Sequence, residues 1–212
     1  MLPIAGRPLV QHIWNRARCT DYPVFLAISD RPEDDQLAAL ALQDDVPVFR
    51  GSLEDVLGRA VAAAEYWNLA GFARLCGDRP YFCIASMNSA LGILAGELRS
   101  GSGDTDLLSN AAEPPPVAGL ATEVIRTAAL RHAAEGSCDE YQKEHVTPKL
   151  YADSQYRVQT IEEPAEFYDG PGLAVDTQED YLRLSRLSET DNRLDIPALD
   201  ALKCMRKFQG WP

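Results

Sequence analysis

Apolar positions along this chain recur at two spacings, and the alternation between them sketches an architecture before any single residue is interpreted. Pro8 is a first-turn proline, and behind it Leu9, His12, Ile13, Trp14 and Ala17 share one face at helical spacing. Val24 to Ser29, VFLAIS, is an apolar run without alternation, the mark of a strand covered on both faces in a parallel sheet. Pro32 to Gln43 predicts a helix whose first turn carries Glu33, Asp34 and Asp35, where acidic groups meet the positive end of the helix dipole. Val46 to Phe49 predicts a second strand. Ser52, with Asp55 three residues on, predicts the N-cap of a helix from Leu53 to about Trp67. Phe72 to Cys76 predicts a third strand, followed by the turn Gly77-Asp78-Arg79-Pro80, a helix over Ile84 to Leu98, and a strand over Leu107 to Ser109. Strand and helix alternate throughout this half, the signature of an α/β sheet with right-handed crossovers.

The pattern changes in the middle. Glu113 to Pro116 is a polar, proline-rich connector, followed by a short strand (Glu123 to Ile125), a helix (Thr127 to Glu135) and the segment EYQKEHVTPKLY. Tyr156 to Ile161 alternates in the manner of a half-exposed antiparallel strand. The stretch from about 110 to 170 therefore predicts an insertion or lid on a single domain spanning 1–212. Leu173 to Val175 predicts a strand ending at Asp176, Gln178 to Leu187 a helix, and Ile196 to Phe208 a helical tail with Lys203, Arg206 and Lys207 at its basic end.

Charge narrows the partners. The 212 residues carry 32 acidic and 20 basic side chains, a net charge of −12, which argues against nucleic acid and anionic membranes, since both demand a basic face. Pro80 to Gly96 is uncharged, but it is shorter than the roughly 20 apolar residues of a bilayer span and reads as a buried helix. The first residues lack the basic and apolar regions of a secretory signal, so the expected compartment is the cytoplasm. Cys19, Cys76, Cys83, Cys138 and Cys204 fit neither a disulfide framework nor a zinc site.

Two predicted strands end on an aspartate, Asp78 and Asp176. In open α/β sheets ligands bind beyond the carboxyl ends of strands, and two such carboxylates at one edge suit Mg²⁺, which favours a carboxylate or two plus substrate phosphates. Taken singly each has a plainer role, Gly77-Asp78 as a turn and Asp176 or Thr177 as a helix cap. Arg50 ends a strand, and Gly51-Ser52 leads into a helix N-terminus, an anion cradle or else a surface arginine beside a capped helix. Glu144-His145 has no nucleophile at a matching spacing. P-loop, GxGxxG and GxSxG motifs are absent.

Read together, PIAGRPLVQHIWNRA, Val48-Phe49-Arg50-Gly51-Ser52 with Asp55-Val56-Leu57, Gly77-Asp78-Arg79-Pro80, Leu108-Ser109-Asn110, Glu144-His145-Val146-Thr147-Pro148 and Val175-Asp176-Thr177 with Glu179-Asp180 resemble, in this order, the sugar-activating nucleotidyltransferases. The resemblance is to the cytidylyltransferase branch, nearest the SpsF-type proteins of spore coat polysaccharide biosynthesis, related to CMP-Kdo and CMP-sialic acid synthetases. It implies a Rossmann-like α/β fold, a mostly parallel sheet flanked by helices, that joins CTP to a sugar, often an acidic one, and releases pyrophosphate. It also implies Mg²⁺ on Asp78 and Asp176, Arg50, Gly51, Ser52 and Gly77 near the nucleotide, and Arg79 as a phosphate or substrate contact. Glu123, His145 and Lys149 would face the sugar or a partner subunit, with a homodimer whose arm is the EHVTP segment, or that segment as a lid on its own subunit.

Two departures from the family pattern stand out. Members begin with a strand and a loop rich in Gly, Ser, Arg and Lys that grips the triphosphate, and Met1 falls just after that position. A sheet without that strand leaves backbone groups unpaired unless an earlier segment or a subunit fills the place or the sheet rearranges. The second departure is Ala121, within Gly119-Leu120-Ala121-Thr122-Glu123, where the family usually carries an Asp. Two alternatives to the active enzyme are a nucleotide-binding homologue or scaffold without the triphosphate loop, and a glycosyltransferase. The latter normally carries a DxD metal motif that Gly77-Asp78-Arg79 does not supply.

Overall fold

The computed structural model of the chain describes residues 2–111, 114–136, 138–191 and 196–209, with side chains for these other than 188–191 and 207–209. Glu113 of the predicted connector and the side chain of Lys207 lie outside the described residues. Pro3–Ile4 (β1) and Arg7–Pro8 (β2) pair antiparallel around Ala5 and Gly6, both at positive φ (48° and 76°), as a tight hairpin requires. The hairpin delivers α1 (Leu9–Ala17), which buries Leu9, Ile13, Trp14 and Ala17, the face its spacing predicts.

Leu26–Ser29 (β3) pairs in parallel with Val48–Gly51 (β4). A second sheet has the order β5-β7-β6-β8, built from Gly71–Ala73 (β5), Leu107–Ser109 (β6), Glu123–Arg126 (β7) and Val158–Thr160 (β8). β6 is parallel to β8, and β7 runs antiparallel to both β5 and β6, so β7 alone opposes the common direction of the other three. Among the described residues, β3 and β5 each have one edge with no strand partner.

Alternation along the strands sends successive rows to opposite faces. Ala73, Val124 and Leu108 face a core shared with α1, α4 (Ile84–Ser100), α8 (Gln178–Asp191) and α9 (Ala198–Gln209). Phe72, Ile125 and Leu107 face a second core with α3 (Val56–Tyr66), α5 (Thr127–Glu135) and α7 (Pro148–Ala152). Trp14 packs with Ala41 of α2 (Asp35–Gln43) and Val46 beside the β3–β4 pair. Helices thus cover both faces of the central sheet in a Rossmann-like α/β arrangement. Arg16 ties the layers together: its Nε and Nη1 donate to the Phe82 and Ile196 carbonyls, each at 2.8 Å, and its guanidinium lies 5.4 Å from the Phe82 ring centre. No helix among the described residues is long and apolar enough to cross a membrane.

Several expectations are corrected. The stretch expected as an insertion supplies an inner strand, β7, and an edge strand, β8, so it belongs to the sheet. Tyr156 to Ile161 contributes a parallel strand instead of an antiparallel one, because alternation reports which side meets water and an edge strand meets water in either direction. The cap of α3 is Asp55, whose Oδ1 accepts the Gly58 N–H at 2.8 Å. Ser52 Oγ instead receives the Asp55 N–H at 3.0 Å, and Arg59 binds the Ser52 carbonyl, which keeps 52–54 outside the helix. The third strand ends at Ala73, well short of Cys76, and Leu173 to Val175 forms no strand. Leu173 and Ala174 are buried, but the Leu173 and Val175 N–H groups donate to the carbonyls of Ala118 (2.6 Å) and Asp78 (2.9 Å), two loops instead of one strand. An apolar run signals burial, and loops can satisfy a buried backbone as well as a ladder does.

Candidate active site at the carboxyl edge of the sheet

β5 points its C-terminal end at the turn Gly77-Asp78, and the bond from Val175 N–H to the Asp78 carbonyl draws the 173–176 loop alongside it. Gly119 makes that approach feasible. Its φ is +94°, and a Cβ there would lie 2.6 Å from the Leu173 carbonyl carbon. Beyond the loop, Thr177 caps α8: Thr177 N–H and Oγ1 donate to Asp180 Oδ2 at 2.9 and 2.7 Å, and Asp180 N–H returns a bond to Thr177 Oγ1 at 3.2 Å. This answers the capping question left open by the sequence, because Thr177 takes the role and leaves the Asp176 carboxylate unused. The hydroxyl and amide donors of Thr177 hold the Asp180 carboxyl below the usual carboxylate range.

Neither Asp78 nor Asp176 carries a side-chain hydrogen bond or ion pair to any described residue, and Asp176 is exposed. Arg79, next in the chain, likewise keeps its guanidinium free of described partners. A Cβ on Gly77 would meet nothing within 4 Å, so this turn borders open space. Two carboxylates on adjoining loops, beside this open turn, are oxygen donors of the kind a hard cation takes when it completes its shell with water and phosphate. No group of three metal-ligating side chains occurs among the described residues.

A second cluster lies at the same edge. Because β7 runs against its neighbours, its first residue sits where β5 and β6 end, and Arg74, Glu123 and Ser109 form one row across the three strands. The row continues the face that carries Phe72, Ile125 and Leu107, and α7 covers it. Glu123, only 7% exposed, receives Thr147 Oγ1 at 2.7 Å and Tyr151 Oη at 3.0 Å on Oε1, and Arg74 Nη1 at 3.2 Å on Oε2. Tyr151 Oη also lies 2.6 Å from Ser109 Oγ. Burial and the adjacent Glu123 carboxylate raise the Tyr151 phenol well above its ordinary pKa, so it serves as a donor here and not as a base.

Thr147 reaches Glu123 through a strained turn. Val146 has φ +72° and ψ −55°, and Thr147 N–H donates to the His145 carbonyl at 2.9 Å, a γ-turn of the rare strained hand centred on a β-branched residue. The turn drives the Val146 side chain into the α3–α5–α7 core, leaving it 1% exposed, and aims Thr147 at the sheet. Val146 and Thr147 of the EHVTP segment thus pack within the chain. His145 itself is exposed at the end of α6 (Glu140–His145), its ring 4.4 Å from that of Tyr141.

The remaining expected residues have protein partners. Arg50 donates through Nε to the Ser29 carbonyl (3.1 Å), through Nη2 to the Arg31 carbonyl (2.6 Å) and through Nη1 to Asp35 (2.6 Å). Gly51 lies under Arg59, whose Cγ would sit 3.0 Å from an added Cβ. Lys149 Nζ donates to the Ala133 carbonyl at 2.9 Å in the last turn of α5. Arg74, Ser109, Thr147 and Tyr151 were not singled out from the sequence as candidate side chains. Two signals were visible: Ser109 and Thr147 fall within motifs that carry the family resemblance, and Arg74 and Ser109 are polar residues two places beyond apolar ones on the same strand face.

The architecture is that of the cytidylyltransferases. A cytidylyltransferase from Leptospira borgpetersenii matches with a TM-score of 0.87 at 20% identity, over 99% of this chain and 87% of that one. A CMP:2-keto-3-deoxy-manno-octonic acid synthetase complexed with CTP matches with a TM-score of 0.63 at 17% identity, over 90% and 91%. The chain belongs to the SpsF family: it is 31% identical over 191 residues to the spore coat polysaccharide biosynthesis protein SpsF of Bacillus subtilis, covering 87% of this chain and 75% of that protein. It is also 30% identical over 185 residues to the uncharacterized protein MJ1063 of Methanocaldococcus jannaschii, covering 84% and 72%. No family model matches the chain.

Proposed function

We propose that this protein is a cytidylyltransferase that joins CTP to a sugar, an acidic one on the family resemblance, in surface polysaccharide biosynthesis. The observation that carries this reading is the pairing of two unpartnered carboxylates, Asp78 and Asp176, on loops tied together by the Val175–Asp78 backbone bond. They sit at the carboxyl edge of a sheet whose fold is shared with a CTP-complexed synthetase. Asp78 and Asp176 would hold Mg²⁺, which when bound neutralises charge on the phosphates. Arg79 stands beside them as a phosphate contact, and Gly77 leaves the nucleotide room to approach. Glu123 belongs to the sugar side, with His145 at its exposed margin. On the family resemblance Arg50, Gly51 and Ser52 belong to the nucleotide side and Lys149 to the sugar side.

In the reaction a sugar hydroxyl oxygen bonds to the α-phosphorus of CTP in line with the departing group. The α–β anhydride bond breaks, pyrophosphate leaves with the electron pair, and the hydroxyl proton passes to solvent. With the net charge at −12, attraction for CTP is local, from Arg79 and the cation and not from the protein's overall field. The test is pyrophosphate release from CTP, Mg²⁺ and a panel of sugars, with calorimetry of CTP binding alongside. Turnover lost in Asp78→Ala and metal-dependent CTP binding lost in Asp176→Ala are expected. Release no greater than that of Asp78→Ala ends the enzymatic reading, and CTP binding without turnover makes the protein a non-catalytic nucleotide-binding relative.

A further inference from the structure

Ending a sheet on a buried ionic row is costly. The preceding row on the same face, Phe72, Ile125 and Leu107, is apolar, and one more apolar row would hold α7 in place without desolvating a carboxylate and a guanidinium. What the ionic row supplies instead is a guanidinium held in a set orientation at the ligand-facing edge. Glu123 Oε1 is occupied by Thr147 and Tyr151, so the carboxylate cannot swing, and its Oε2 meets Arg74 through Nη1 alone. The Nε and Nη2 donors of Arg74 meet no acceptor among the described residues, and the side chain keeps 22% of its surface exposed. Arg74 stands four residues before Asp78, just past the end of β5, so the two residues lie at the same carboxyl edge of the sheet.

We infer that Arg74 is an oxyanion-binding residue of this site, taking a carboxylate or phosphate oxygen of a substrate through the free edge of a guanidinium that Glu123 holds from behind. The planar fork of arginine matches such oxygens, and a fork already oriented loses less freedom on binding than one on a loose side chain. Thr147 and Tyr151 are positioning residues: they act on the substrate only through Glu123 and Arg74. The inference rests on the proposed function for the identity of the substrates, not for the existence of the oxyanion site. Two sources share the chemistry, the carboxylate of an acidic sugar and the phosphates of the nucleotide.

The test is an NMR titration of the full chain labelled with ¹⁵N-arginine, following the Arg74 side-chain Nε–H, linked to its backbone through Leu75. The probes are CTP with Mg²⁺, inorganic pyrophosphate, and 2-keto-3-deoxy-manno-octonic acid. A saturable shift of this resonance is expected with one class of probe. Movement with CTP and pyrophosphate assigns the phosphates, and movement with the sugar acid alone assigns the carboxylate. Arg74→Lys, which keeps the charge and loses the fork, should weaken that probe's binding by about tenfold or more, and Tyr151→Phe by a smaller factor on the same probe only. An Arg74 resonance unmoved by all three probes overturns the inference, whether or not Arg74→Lys folds. A chain that binds no CTP but whose Arg74 moves with pyrophosphate or the sugar acid ends the cytidylyltransferase reading and keeps this site. CTP turnover with an unmoved Arg74 does the reverse.

Discussion

The carboxyl edge of the sheet holds two sets of acidic residues that are built in opposite ways. Asp78 and Asp176 stand on loops, partly or fully exposed, with carboxylates that no described residue engages. Glu123 stands on a strand, nearly buried, with three donors on its two oxygens, Arg74 just past β5 and Thr147 and Tyr151 at the N-cap and within α7. A solvated carboxylate costs nothing to leave unpaired, so the first pair is free to bind. A buried one is tolerable only while every partner is present, so the second set is bound up with the fold. On the proposed function, function and stability are thus separable at the aspartates and coupled at the glutamate.

The contrast is open to attack in order of the expected effect on stability. Removing Glu123 as alanine strands Arg74, Thr147 and Tyr151 under α7 and should cost about 3–5 kcal/mol. In a chain of this size that lowers the melting temperature by roughly 6–20 °C. A drop of under about 3 °C would mean the row is not a buried network at all. Gly119→Ala comes next, at about 1–3 kcal/mol, because it combines a positive φ with a Cβ driven into the Leu173 backbone. Since Leu173 begins the loop that carries Asp176, metal-dependent CTP binding should weaken in the same variant, and unaltered binding would show that the loop is not set by this contact.

Tyr151→Phe removes a single donor and should cost about 1 kcal/mol, read by urea denaturation. Acidification tests the capping box. The Asp180 pKa is lowered in the folded state, so its stabilisation is complete above the ordinary carboxylate range and is lost as pH falls through about 4 and below. Asp180→Asn should therefore show a smaller loss of melting temperature than the wild type between pH 6 and about pH 3. At the end of the scale, Asp78→Asn and Asp176→Asn should stay within about 0.5 kcal/mol of wild type while losing Mg²⁺-dependent CTP binding. A large loss of stability in either would mean that its carboxylate is structural.

Much of the site was legible because its residues lie at element ends, where local chemistry speaks. Asp78 and Asp176 each follow an apolar run, and that alone marked them. What escaped was every residue whose part depends on a neighbour distant in the chain. Arg74 fell inside a predicted strand running on to Cys76, Tyr151 ended a segment to which the pattern assigned no element, and Thr147 stood only as one letter of the EHVTP motif. Even where an expected residue was named, its partners were hidden: nothing near Arg50 in the sequence points to the Ser29 and Arg31 carbonyls that occupy it. Glu123 was named from family resemblance, and only its row-mates explain why a glutamate can sit there.

By itself the sequence determined where most helices and most strands lie, though not α6 and α7, which face of α1 is buried, and that the fold alternates strand and helix, because these follow from the local periodicity of apolar residues and from cap and turn residues. The tertiary structure alone decided that β7 enters the sheet against its neighbours, that β8 joins in parallel, and that the loop before Asp176 hangs on the carbonyls of Ala118 and Asp78. Strand order and direction depend on backbone bonds between segments tens of residues apart, and a periodicity carries no record of its partner.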